Sequence, residues 1–234
     1  MKLFKKPIIV ITILVVGVTS AIGIVIEKRR QVAAEAAVRQ KLEQLGAVVT
    51  TTTDQQHVTS IALLPNTQHK DLESAIQLIS RLPLLESLRL TGTSISDEQL
   101  VHIAGSTSLT MLDLNRTSVG DIGLQYLQDI SNLQALYLLG TSVSSRGLEA
   151  ISKLSNLKIL DLSETRIDGT LAPLLGMDQL NHLLLSNVSL SDDAVTNLLQ
   201  LKSLNRLTIR GSTLSDESNG KLDQTSLKID RTSD

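Results

Sequence analysis

Two carboxylates, Asp113 and Asp161, stand in one frame, Leu-Asp-Leu, and Tyr137 fills the matching frame midway between them. Their side chains suit acid–base work if the fold gathers them. With each frame on its own strand and strands about 4.8 Å apart, the carboxyls lie about 9–10 Å from each other. That is nominally within reach of an inverting glycosidase pair. Such a pair also needs one carboxyl pKa raised and water kept out. A shallow open sheet supplies neither, so no hydrolase is expected. The four histidines, His57, His69, His102 and His182, are scattered through different segments, and His102 sits in an expected helix over residues 97–104 as a structural residue. No His-Glu-x-x-His motif, paired cysteine motif or glycine-rich phosphate loop occurs, so the expectation is no metal, no cofactor and no reaction.

The frames belong to a line written six times. Leu85-x-x-Leu88-x-Leu90-x-x-Thr93-x-Ile95 returns at Leu109, Leu133, Leu157, Leu180 and Leu204, every 24 residues except for a slip of one between Leu157 and Leu180. The Leu-x-Leu pair has period two, which predicts a short strand with both leucines on one buried face. A single unit cannot bury that face, so the units must stack. Each fully buried leucine is worth roughly 1.5–3 kcal/mol. Thr93, Thr117, Thr141, Thr165 and Ser212 mark the chain's turn off the strand, where a hydroxyl can bond backbone groups and its equivalents in neighbouring turns. Val188 breaks that column and reads as a local irregularity. Ser96, Ser144, Ser191 and Ser215, with Gly120 and Asp168 in the equivalent places, read as helix N-caps. Acidic residues and apolar residues at helical spacing follow, so each unit is strand, turn, short helix.

A line of this kind, recurring in register, resembles the leucine-rich repeat superfamily, and within it the subclass with Thr or Cys at the ninth position. Bacterial membrane-anchored members and the repeat regions of F-box proteins look similar. The likeness covers residues 58–229. It implies an α/β solenoid, a horseshoe with a concave parallel sheet and short convex helices, that binds a protein on the inner sheet and catalyses nothing.

The flanks suggest further parts. The apolar run from Pro7 to Ile26, between Lys2, Lys5, Lys6 and Lys28, Arg29, Arg30, has the length of a transmembrane helix. The expectation is an uncleaved anchor on a single-pass membrane protein with its repeats outside the cytoplasm; a cleaved signal peptide is the alternative. Residues 27–45 read as helix with Val38, Leu42 and Leu45 on one side and Gly46 as its stop, and residues 47–51 and 57–63 read as a hairpin. The expected division is 1–26 tail and anchor, 27–57 juxtamembrane helix and capping hairpin, 58–230 repeats, 231–234 tail.

Composition narrows the partners. Net charge is −2, but six of the 22 basic residues and one of the 24 acidic residues precede Gln31. The rest carries 16 basic against 23 acidic residues, about −7, which disfavours nucleic acid. Cysteine is absent, so no disulfide is available, and in the repeats the aromatics are Tyr126 and Tyr137 alone. Register places Arg89, Asp113, Tyr137, Asp161 and Leu184 in the central outward column of the inner sheet, flanked by Met111, Ile159 and His182 on one side and Leu139 on the other. Met111, Tyr137, Leu139, Ile159 and Leu184 are expected to form an exposed apolar patch that docks a protein, with no small-molecule substrate. The rival readings are a ubiquitin-ligase substrate receptor, which lacks an F-box here, and a passive envelope protein.

Overall fold

The computed structural model describes the backbone of residues 6–65, 67 and 69–231, and side chains from Gly23 onward apart from His69. Nine strands form one sheet in chain order: β1 (Val48–Thr51), β2 (Val58–Ala62), β3 (Ser87–Arg89), β4 (Met111–Asp113), β5 (Ala135–Tyr137), β6 (Ile159–Asp161), β7 (His182–Leu184), β8 (Arg206–Thr208) and β9 (Lys228–Asp230). The β1–β2 hairpin is antiparallel and every later pair is parallel. Parallel neighbours need a crossover, and here it carries helix α2 (His69–Ile79), α3 (Asp121–Leu127), α4 (Leu148–Ile151), α5 (Asp192–Gln200) or α6 (Asp216–Asp223), or a 3-10 turn at Glu98–His102, Ser145–Gly147 or Ala172–Gly176. The expected helix at 97–104 is thus a 3-10 turn, and the 23-residue repeat also closes through one. A 3-10 turn spans the convex side in few residues. The missing residue therefore falls there and leaves the strand register intact, with Ile159 opposite His182 and Leu160 opposite Leu183.

The leucines meet under the sheet as expected. Leu88, Leu112, Leu136, Leu160, Leu183 and Leu207 pair across successive strands and are fully buried, as are Leu90, Leu114, Leu138, Leu162 and Leu185 beside them. One continuous core runs from Val38 to Leu222. Helix α2 went unread in the sequence, although Leu72, Ala75, Ile76 and Ile79 have the spacing of one buried helix face and are all buried.

The four ninth-position threonine hydroxyls work within their own repeat. Oγ1 of Thr93, Thr117, Thr141 and Thr165 donates to the carbonyl three residues back, at 2.5–2.7 Å. This corrects the expectation that they bond one another across turns. Just before the ninth position of each of the six repeats the chain takes a left-handed turn, at Gly92, Arg116, Gly140, Glu164, Asn187 and Gly211 (φ +55 to +68°). Among the expected caps, Ser144, Ser191 and Ser215 accept a backbone N–H through Oγ. Ser96 instead donates to Glu98 Oε2, and Asp168 precedes a stretch whose helical turn begins only at Ala172.

Helix α1 (Lys6–Gln44) packs against β1 and α2 through Val38 and Leu42 and ends at Gly46, which takes φ +82°. Buried Glu35 accepts a hydrogen bond from His57 Nδ1 at 3.2 Å. Among the described residues no helix is long and apolar enough to cross a membrane. The expected placement as a single-pass membrane protein anchored by Pro7 to Ile26 is therefore corrected. The run does not stand as a separate element, because α1 continues unbroken through the charged residues Glu27, Lys28, Arg29 and Arg30 to Gln44. Residues 7–22 of the run lie outside the described side chains.

Candidate binding surface on the concave sheet

Strand alternation sends the residues on either side of each buried leucine to the inner face. Pairing then lines them up in rows: Ser87, Met111, Ala135, Ile159, His182, Arg206 and Lys228 in one, and Arg89, Asp113, Tyr137, Asp161, Leu184, Thr208 and Asp230 in the next. A third row just beyond the strand ends holds Asn115, Leu139, Ser163, Ser186 and Arg210. All nine expected site residues lie on this inner sheet.

They do not share one environment. Arg89 is exposed, while Met111, Asp113, Tyr137, Leu139, Ile159, His182 and Leu184 are half-buried. Asp161 is buried at 7 % exposure, beside Ser163 at 2 %. The expected exposed patch is therefore corrected to a half-buried one, sunk into the inner curve where neighbouring rows shade each other. Tyr137 and Leu139 stand on one side of Asp161 and Leu184 on the other.

The third row ties its repeats together. Asp113 Oδ1 accepts the Asn115 N–H, and Asn115 Oδ1 accepts the Leu139 N–H of the next repeat at 2.8 Å. Asp161 Oδ1 accepts the Ser163 N–H at 2.9 Å, and Ser163 Oγ accepts the Ser186 N–H. Polar side chains on this edge thus occupy the N–H groups that a shallow curve would leave open.

Electrostatics follow the burial. Burial pushes the Asp161 carboxyl above its ordinary value, and the Asp113 carboxylate adds to this, against hydrogen bonds from Ser163 and the field of His182. The expectation that this sheet leaves every carboxyl unperturbed is thereby corrected at Asp161. Burial likewise holds His182 below its ordinary value, helped by the Arg206 guanidinium and opposed by Asp161. A raised carboxyl is one requirement of a general acid. Asp161 lines a hollow that opens to solvent beyond it.

That hollow, about 530 Å³, lies over β6 to β9. It takes in Leu139, Asp161, His182 and Leu184 from the expected set and leaves out Arg89, Met111, Asp113, Tyr137 and Ile159. It adds Arg206 and Arg210, which register puts at the far end of the same face, and Lys228, which the sequence does not single out. The signal for Lys228 is its place in a basic pair with Arg206 on consecutive inner strands of an acidic body. His182 Nε2 lies 3.3 Å from Thr208 Oγ1, and Arg210 Nη2 donates to Asp230 Oδ2 at 2.6 Å. Elsewhere, His57 Nδ1 donates to Glu35, and His102 is exposed. Among the described residues no group of three or more potential ligands could hold a metal ion.

No protein-family model matches the chain, and a search of curated proteins finds no match. Solved structures do resemble it. An internalin C2 from Listeria monocytogenes superposes with a TM-score of 0.57 at 21 % identity, over 75 % of this chain and 81 % of that one. A second internalin from Listeria monocytogenes, inlF, gives 0.52 at 19 % identity over 83 % of this chain and 61 % of that one. At such identities the likeness speaks for the fold. With six registered copies of one line, a parallel sheet built on a leucine spine and these neighbours, the chain has a leucine-rich repeat fold.

Proposed function

We propose that the chain is a non-catalytic protein-binding module that docks a protein partner on its concave sheet. The observation that carries this reading is the sunken apolar group formed by Met111, Tyr137, Leu139, Ile159 and Leu184, which runs in register across β4 to β7. Half-buried aromatic and aliphatic side chains set in a rigid curve give up more water per contact than scattered surface residues, and a central tyrosine suits a hot spot. The structural neighbours support the scaffold. A passive envelope protein does not require a sunken apolar group on its inner face.

A photo-crosslinking residue at Tyr137 is expected to capture one stoichiometric protein from the source cell. The same residue at Ile122, exposed on the convex helix α3, is expected to capture none. Undiminished capture of that protein after Tyr137→Ala and Asp161→Asn are combined, with the crosslinker moved to Leu184, would falsify the reading.

A further inference from the structure

We propose that the hollow over β6 to β9 receives an extended segment of the partner in which an aliphatic stretch adjoins an acidic one, aliphatic side chains resting on Leu139 and Leu184 and carboxylates facing Arg206 and Lys228. The inference rests on the protein-docking reading and gives the partner its chemistry.

Charge distribution is the first support. From Gln31 onward the chain has 16 basic and 23 acidic residues, yet Arg206, Arg210 and Lys228 all line this one hollow. Arg206 and Lys228 are adjacent in one row, directly paired across β8 and β9, and both are exposed. The acidic groups nearby do not cancel them. Asp230 is held by Arg210, and Asp161 is buried, with a carboxyl that burial pushes toward its neutral form. His182, first in the same row, is pushed toward neutrality too and adds a flat hydrogen-bonding wall rather than a third cation.

Geometry is the second support. The apolar and basic residues stand at opposite ends of the hollow along the strand order, Leu139 just after β5 and Leu184 on β7, Arg206 on β8 and Lys228 on β9. A segment crossing the strands in extended form meets the leucines at one end and the cations at the other. It advances about 3.3 Å per residue, so three residues cover the two strand spacings, about 9.6 Å, from His182 to Lys228. An aliphatic stretch adjoining an acidic one is the pattern that satisfies both ends at once. A basic or uniformly polar segment meets like charge at one end or leaves the leucines in contact with water.

The test is fluorescence anisotropy of the full chain with a labelled ten-residue peptide in which a Leu half adjoins a Glu half. Two control peptides have Lys in place of Glu, or Ser in place of Leu. The Glu/Leu peptide is expected to bind about tenfold or more tightly than either control, and more weakly as salt is raised. Combining Arg206→Glu with Lys228→Glu is expected to weaken it by about tenfold or more and to admit the Lys/Leu peptide instead. Both side chains are exposed, so the variant folds, and circular dichroism checks that it does. Equal binding of the Glu/Leu and Glu/Ser peptides, or displacement of either by inorganic phosphate, would mean a plain anion site and overturn the proposal. So would absence of binding, or indifference to the charge reversal. If a protein captured through Tyr137 binds the reversed variant as well as the parent, this inference falls and the docking reading stands. If nothing is captured through Tyr137, both fall.

Discussion

Val188 places two methyl groups where four other repeats carry the hydroxyl that caps the carbonyl three residues back. In this repeat that carbonyl belongs to Leu185, and it is not abandoned. Ser212, from the next repeat, donates its Oγ–H to Leu185 O at 2.5 Å while accepting the Val188 N–H at 3.2 Å. The break in the column is thus repaired from a neighbour, which a sequence cannot show because the two residues are 24 positions apart. Ser212→Ala is expected to cost about 1 kcal/mol in a urea melt, the usual worth of a bond to a half-buried backbone group. Val188→Thr is expected to recover most of that loss in the Ser212→Ala background and to give no gain in the parent, where Leu185 O is already taken. A double-mutant cycle without coupling would count against this staple. His182 offers a second measurement. Its folded pKa is held below the ordinary 6.5 by burial first and Arg206 second, so between the two values the unfolded chain binds more protons. Stability therefore rises with pH through that window and levels off above 6.5. His182→Gln is expected to flatten this part of a thermal-midpoint profile between pH 5 and 8; a variant profile parallel to the parent's would show that the ring feels no such field.

At the scale of elements, the repeats are joined on their convex side by a carboxylate that the sequence reading treated as helix-start chemistry. Asp97 Oδ1 accepts the Gly120 N–H at 2.7 Å, and Asp121 does the same for Ser144. Room for the first carboxylate comes from Gly123, where a Cβ would stand 2.4 Å from Asp97 Oδ1 and 2.9 Å from Leu100 Cδ1. Gly147 stands in the same relation to Asp121 and Leu124. Gly123→Ala is therefore expected to cost roughly 1–3 kcal/mol through overpacking and a displaced inter-repeat bond. Gly176→Ala, with no atom within 4 Å of the new carbon, is the control and is expected to leave the melt unchanged; equal effects would show that the Asp97 contact is unimportant. Strands and helix starts were legible because each depends on local rules, namely alternation, a capping hydroxyl and an acidic first turn. The replacement of helix by 3-10 turns at Glu98–His102 and Ala172–Gly176 was not, because it depends on how much convex arc each repeat must fill once the strands are set. The left-handed turn was equally hidden, since three of its six positions carry Arg, Glu or Asn rather than Gly.

For the whole molecule, stacking decides what a row of residues amounts to. Each inner residue belongs to one repeat, but its exposure is set by the repeats on either side. That is why Asp161 and Thr208 are buried while Arg206, one row away, is open to water. The candidate site moves accordingly. Its apolar members were readable from register, whereas the hollow's position over β6 to β9, and so its basic rim, came from curvature. The anchor expected from hydropathy fell for a related reason: a window of apolar residues says nothing about the element it belongs to, and here that element is one helix running on to Gln44 and into the core at Leu42.

What the sequence determined by itself was the repeat, the buried leucine spine and the identity of the residues on the inner face, because period and register are properties of a chain read in order. Tertiary structure alone decided how deeply each of those residues sits, which carboxyl loses its water, and where the hollow opens. Those depend on the packing of side chains some 24 positions apart, and a linear pattern carries no measure of the angle at which one repeat leans on the next.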